Sequence, residues 1–260
     1  MFEFHADRKR YFDIQEENAR RYVIPFIEER FPIQPGMRVM EIGCGEGGVL
    51  KAFINRGCIG VGIELDVPRI DNAAIWMKDD IASGKARFVG KDIYLVAADD
   101  LDGPFDIIVM KDVIEHIHDQ NRLLARLKHF LKPEGVVFFG FPPWKMPFGG
   151  HQQICNGKWL SRLPYYHLLP RPLYKAILEK NNEPVKDLLE IRDTRISIER
   201  FERIVAENNY AVVNDTHYFI NPIYEYKFGW KARKQSLLIR HIPWVRDFLT
   251  TCVYYLITAK

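Results

Sequence analysis

Glu41, Gly43, Gly45, Gly47 and Gly48 follow directly on the apolar pair Val39-Met40, and the stretch reads as a buried strand that turns on glycines into a helix. A backbone without Cβ can make so sharp a turn and lets a ligand approach the main chain, while the first turn of the new helix offers unpaired N–H groups. The chemistry that fits is the binding of a nucleotide-like molecule. Gly43-x-Gly45-x-x-Gly48 also satisfies the dinucleotide fingerprint, so the turn by itself leaves a nicotinamide cofactor open. Two acids add detail. Glu41, two residues before the first glycine, can reach back into the turn, and Glu64 ends the apolar run 59–64, where a carboxylate would accept hydrogen bonds from ribose hydroxyls.

Two later stretches narrow the choice. The apolar run 105–110 leads into Lys111 and Asp112-Val113-Ile114-Glu115-His116, and Leu131-Lys132-Pro133-Glu134-Gly135 precedes the apolar run 136–139. In this order, over roughly residues 10 to 141, the pieces resemble the class I S-adenosylmethionine-dependent methyltransferases. Those enzymes carry an acid before a glycine turn, an acid ending the second strand, a D-x-x-E-H turn after the fourth strand and an L-K-P-x-G turn before the fifth. The resemblance implies S-adenosylmethionine as cofactor, held by Glu41, Gly43, Cys44, Gly45, Gly47, Glu64, Leu65, Asp92, Ile93 and Lys111. Asp92 would accept from the adenine amino group, although an aspartate there can equally cap a turn of helix. The leading helix would close over the cofactor, with Arg20 or Arg21 near the methionine carboxylate and Tyr11 near the methyl group.

A methyl sulfonium is already a strong electrophile. The protein has to hold a nucleophile in line, exclude water and, for a hydroxyl acceptor, take a proton. His116 is the first candidate base because imidazole titrates near working pH; His151 and Tyr11 follow. A histidine at 116 that only packs the turn, with Glu115 orienting the loop, is the plainer alternative. The acceptor is read as an oxygen or nitrogen of a small-molecule, sugar or lipid-like compound. An NAD(P)-dependent dehydrogenase is disfavoured because no Tyr-x-x-x-Lys dyad follows the fourth strand, and a catalytically silent cofactor-binding module is the third reading.

These residues need a frame. Residues 39–42, 59–64, 87–93, 107–110 and 136–140 read as strands alternating with helices at 47–56, 66–82 and 119–131. Such alternation gives an α/β, Rossmann-like, open and mostly parallel seven-stranded sheet with helices on both faces, completed by strands at 210–220 and 251–258. Residues 1–34 are read as an N-terminal helical cap broken near Pro25, and 35–141 as the cofactor-binding core. Residues 142–195 are read as an inserted aromatic substrate lid, in which 160–169 could equally be an ordinary helical cap or a dimer contact, and 196–260 as completion of the sheet, with a serine-capped helix at 196–205.

Composition sets limits. The 260 residues are 47% hydrophobic and 27% charged, which supports a full globular core. Residues 1–139 hold 19 Lys and Arg against 23 Asp and Glu, and 140–260 hold 18 against 11, so the second half is basic while the net charge of +3 is too small to suggest nucleic acid as partner. Residues 227–240 mix basic, aromatic and leucine side chains; the plainer reading is a charged exterior covering the sheet, and the alternative is a weak membrane-surface contact or recognition of an acidic lipid. Four cysteines without CxxC spacing, no clustered metal ligands, and an N-terminus with charges in place of a signal-peptide core point to a cytoplasmic protein without a required metal.

Overall fold

The computed structural model describes residues 7–260, so most of the N-terminal stretch read for a signal peptide, and the first residues of the 1–34 cap, lie outside the described residues. Strands β1 (Arg38–Ile42), β2 (Ile59–Ile63), β3 (Ala86–Val89), β4 (Phe105–Lys111) and β5 (Leu131–Phe141) pair in parallel. β6 (Tyr210–Ile220), β7 (Arg233–Lys234) and β8 (Cys252–Ala259) complete a single sheet of order 3-2-1-4-5-8-6-7, with β8 antiparallel to both β5 and β6. The eighth strand was not foreseen. It is the two-residue β7 at the edge, too short and too charged to leave a periodic signal.

Both faces of the sheet are buried, as the unbroken apolar runs require. On one face Met40, Ile42, Ile108, Met110, Val137 and Phe139 pack under α6 (Gln120–Leu127) and α9 (Ile198–Glu207). Their neighbours Val39, Ile107, Val109, Val136 and Phe138 point the other way, against α1 (Arg8–Asn18), α2 (Ile24–Glu28) and α3 (Gly48–Ile54). Phe201 of α9 is fully buried, with ring centroids 5.0 Å from Phe139, 5.1 Å from Phe141 and 4.8 Å from Tyr255. Phe201→Ala is therefore expected to destabilise the fold by about 3–5 kcal/mol, read as a lowered denaturant midpoint with an unchanged slope.

Several boundaries differ from the sequence reading for local reasons. The leading helix is interrupted by a π-helical turn, Ala19–Val23, and Pro25 sits in the first turn of α2; lacking an N–H, proline is tolerated there and cannot continue the ladder of α1. Residues 66–82 form two helices, α4 (Val67–Trp76) and α5 (Lys78–Ala82), separated at Met77. β5 begins at Leu131 and absorbs the Leu-Lys-Pro-x-Gly turn.

The inserted segment departs furthest. Residues 160–169 form only the 3-10 turns Leu160–Arg162 and Tyr166–Leu168, since Pro164 and Pro170 each remove a donor. Two helices follow, α7 (Arg171–Lys180) and α8 (Val185–Thr194), and Tyr166 and Tyr174 join Leu160, Leu178 and Leu188 in a small core of the segment's own. Much of the aromatic character read as a substrate lid is thus spent on holding the insertion together. After β6 come α10 (Tyr224–Phe228), α11 (Leu237–Arg240) and α12 (Val245–Leu249), so 227–240 is not one amphipathic helix. All four cysteines are buried and unbridged. Among the described residues no helix is long and apolar enough to cross a membrane.

Candidate functional site

A cavity of about 940 Å³ opens at the carboxyl ends of β1 and β4. Its floor is the glycine turn. Gly43, Gly45 and Gly47 all take left-handed backbone (φ +68, +54 and +84), and a Cβ on Gly43 would fall 2.5 Å from Val113 Cγ2, so the sharp turn depends on the missing side chains. Gly47 is the N-cap of α3 and has no side chain to offer its first N–H groups. Glu41 supplies that acceptor from inside β1, its Oε2 accepting from Leu50 N–H at 2.8 Å. Burial pushes the Glu41 carboxyl up to about 8, against the lowering effect of that bond and of Lys111.

Glu64 stands where β2 ends and accepts three backbone N–H groups: Gly45 at 2.7 Å on Oε2, and Leu65 at 2.8 Å and Asp66 at 3.0 Å on Oε1. It ties the glycine turn to the next strand. Asp92 accepts from Tyr94 N–H at 2.9 Å, a cap-type bond, and Ile93 is buried in the core. Glu64, Leu65, Asp92, Ile93 and Gly47 are not among the residues lining the main cavity, whereas Glu41, Gly43, Cys44, Gly45 and Lys111 are.

The wall above the floor comes from α1, which delivers Arg8, Tyr11 and Gln15. Arg8 Nη1 lies 2.9 Å, and Arg69 Nε 3.5 Å, from the buried Glu46 Oε1. Arg20 and Arg21 do not reach the cavity. Arg20 is exposed and pairs with Glu17 at 2.6 Å, and Arg21 pairs with Glu225 at 3.1 Å; at about 3.6 residues per turn both fall well away from the face that carries Arg8, Tyr11 and Gln15. Arg8, Glu46 and Arg69 were missed; Glu46, a lone acid inside the glycine run, was the legible sign.

Three elements bring the candidate chemistry together. The end of β4 places Lys111 Nζ 2.5 Å from Asp112 Oδ2. Burial opposes both charges, yet each holds the other ionised: Lys111 is raised, and Asp112 lowered, from their ordinary ranges. The 3-10 turn Ile114–His116 then presents Glu115 and His116, and the loop after β5 presents His151, its ring centroid 5.0 Å from that of His116. Asp112 and His151 both take left-handed backbone (φ +57 and +54), a cost of the order of 1 kcal/mol or more per residue that tends to collect at functional sites.

Protonation at this cluster follows from burial. Desolvation lowers His116 below its ordinary value and pushes His151 down to about 3, so both imidazoles are neutral at pH 7. Glu115 is pushed well up, and neither of its carboxyl oxygens has a hydrogen-bond partner. Tyr11 is raised by burial and remains a phenol, a donor in place of the base first considered. Lys227 of α10, missed in the sequence, faces the same space; its ammonium lies 5.3 Å from the Tyr11 ring centroid, and burial lowers it to about 8.

Glu115, His116 and His151 each offer one ligand atom, and these lie within 4.8 Å of one another. Both histidines are candidates from the sequence, but their proximity is not legible there because 35 positions separate His116 from His151. A cation held there would occupy the lone pairs that proton transfer requires, so the two roles exclude each other.

Comparison with known proteins identifies the family and the fold. A family model described as a methyltransferase domain matches residues 15–214. A ubiquinone biosynthesis O-methyltransferase of Pasteurella multocida is 29% identical over 113 residues, 40% of this chain and 46% of that protein. An uncharacterized methyltransferase of a Mycobacterium species is 28% identical over 151 residues, 56% of each. The chain therefore spans about half the length of these curated relatives. Among solved structures, an S-adenosylmethionine-dependent methyltransferase from Clostridium acetobutylicum superposes with a TM-score of 0.59 at 11% identity, covering 99% of this chain and 96% of that one. The magnesium protoporphyrin IX methyltransferase of Synechocystis, solved with bound SAM, gives 0.56 at 11% identity over 100% and 86%. At such identities the structural likeness speaks for the fold.

Proposed function

This chain belongs to the class I S-adenosylmethionine-dependent methyltransferases, and from that premise we propose that it moves a methyl group to an oxygen or nitrogen of a small-molecule, sugar or lipid-like acceptor, with the lipid-like class favoured. One observation carries the reading. The glycine turn and the Lys111, Asp112, His116 and His151 cluster open onto the same cavity, whose outer wall is apolar at Met146, Phe148, Ile223 and Phe228. Family membership sets aside the dehydrogenase alternative.

The residues present suit the cofactor. Gln15 Oε1 is buried in the cavity wall without a hydrogen-bond partner, and Arg8, Glu46 and Arg69 stand in that wall, a set matched to an amino-acid end bearing an ammonium and a carboxylate. Glu64 has about one acceptor site left beyond its three backbone bonds, which suits a ribose hydroxyl. Asp92 is proposed for the adenine amino group and Lys111 for the strand-end wall. When bound, S-adenosylmethionine supplies an electrophilic methyl on a sulfonium. The chain's own work is to close α1 over the cavity, hold the acceptor and keep water out. His116, neutral and on the cavity wall, takes the acceptor's proton at a ring nitrogen; His151 stands behind it, and Tyr11 donates a hydrogen bond. On this reading 1–34 is the cap, 35–141 the cofactor core, 142–195 the lid and 196–260 the completion of the sheet, with weak membrane contact through 227–240.

Calorimetric titration with S-adenosylmethionine and S-adenosylhomocysteine, beside NAD and NADP, tests the first half. The adenosyl-sulfur ligands are expected to bind and the nicotinamides not. Glu64→Ala should weaken binding by about 1–3 kcal/mol, with a thermal melt run alongside because Glu64 also secures the glycine turn. Binding by NAD alone would overturn the reading.

A further inference from the structure

The cavity mouth continues into an unusually apolar surface. Phe148, Phe219, Phe228 and Trp230 line the cavity and are also exposed, so its rim is apolar where it meets solvent. From that rim the chain runs on through α11 and α12, where Leu237, Leu238 and Trp244 stand 70%, 77% and 63% exposed. Backbone contacts hold this segment against the mouth. The Tyr165 hydroxyl donates to Phe248 O at 3.0 Å while Tyr165 N–H donates to Pro147 O, beside Phe148; on the other side Thr251 Oγ1 donates to Phe219 O at 3.1 Å. Trp244 is held outward in left-handed backbone (φ +68), its N–H fixed by Glu199 Oε1 at 2.8 Å. An exposed indole kept in so unfavourable a conformation asks for a reason.

Charge indicates the occupant. Residues 228–249 carry five Lys and Arg against one acid, Asp247, which is buried. Arg240 pairs with Asp215, and Arg246 with Glu199 and Glu202, but Lys231, Arg233 and Lys234 are exposed around the apolar tips. Basic residues on β7 also discourage edge-to-edge pairing, a role that leaves the leucines and tryptophans unaccounted for. Two short helices offering leucine and indole tips ringed by cations match the headgroup region of an anionic bilayer, where indoles settle at the interface and each nearby cation adds attraction.

We propose that residues 228–249 dock the protein on an anionic membrane, with the cavity mouth against the headgroups, so that an acceptor with an apolar tail enters from the bilayer. This deepens, and for its purpose rests on, the reading of a lipid-like acceptor. It also extends the contact beyond 227–240, read in the sequence, to the following residues that carry Trp244 and Phe248.

Vesicle co-sedimentation of the full chain needs no methyl transfer, so this proposal and the methyltransferase reading fail separately. The protein is expected to pellet with phosphatidylcholine vesicles containing phosphatidylglycerol, less so as salt rises, and to stay in solution with phosphatidylcholine alone. Replacing Lys231, Arg233 and Lys234 together by alanine should lower partitioning about 100-fold. Leu237→Glu with Leu238→Glu should abolish it while circular dichroism is unchanged; should that pair unfold the chain, the charge variant still decides. No pelleting with anionic vesicles at low salt, or equal pelleting with both compositions, overturns the proposal. A dimer in sedimentation velocity that Leu237→Glu breaks also overturns it, since the patch would then be covered by a second copy.

Discussion

Exchanging His116 for asparagine is expected to lower kcat about 10²–10⁴-fold, the usual worth of a placed general base, while S-adenosylmethionine affinity stays within a few-fold. The ring sits at the end of the 3-10 turn after β4, faces the cavity and is neutral at pH 7 because burial lowers it. The sign follows from that direction. The neutral form is the active one, so kcat/KM should rise with pH along a limb whose midpoint lies below the ordinary 6.5 and level off above it. In the asparagine variant the limb should vanish with the rate. A residual rate that keeps the wild-type limb would mean that His116 only packs the turn, and an equal loss of thermal stability would say the same. Treatment with a chelator separates the remaining possibility. Proton transfer by His116 is indifferent to it, whereas a cation held by Glu115, His116 and His151 would leave with the chelator and take the activity with it.

What could be read in advance was what repeats or turns sharply. Parallel strands buried on both faces print unbroken apolar runs, so β1, β2, β4 and the apolar part of β5 stood where their sequences put them, and the glycine turn announced itself because φ near +54 to +84 excludes most other residues. Strand ends carrying Glu64, Lys111 and Asp112 were visible for the same reason: an acid or base closing an apolar run is a chemical event in the sequence. Side chains delivered by rotation about a helix were not. Arg8 and Arg20 fall on different sides of the leading helix at about 3.6 residues per turn, and which side meets the cavity is set by tertiary packing that the helix's own sequence does not state. His151 was named for its loop, yet its approach to His116 depends on the path of the whole segment after β5. The aromatic residues of 160–174 carried the weakest information, since a ring packs equally well into a lid's own core or into a ligand, and Tyr166 and Tyr174 do the former.

Gly48→Ala should be the most damaging single-methyl change in the cofactor region, although it leaves every polar group in place. A Cβ on Gly48 would fall 2.5 Å from the carbonyl oxygen of Phe12 and 2.8 Å from Gln15 Cβ, and backbone cannot swing aside as a side-chain tip can. Ordinary contact needs about 3.4 Å or more, so α1 must move off α3 by roughly an ångström. The expected stability cost is about 1–3 kcal/mol, as for other overpacked contacts. The catalytic cost should be larger than that figure suggests. α1 is the element that brings Arg8, Tyr11 and Gln15 to the cavity, and a displacement of that size at positioning groups can cost about 10²-fold in rate. Gly36→Ala is the control: it has the positive φ that Gly48 lacks, and nothing lies within 4 Å of its added methyl. It should lose some stability and keep its kcat. If Gly48→Ala lost stability alone, with cofactor affinity and kcat intact, α1 would be a passive cover, and the closing role assigned to it, with Tyr11 as donor, would have to be given up.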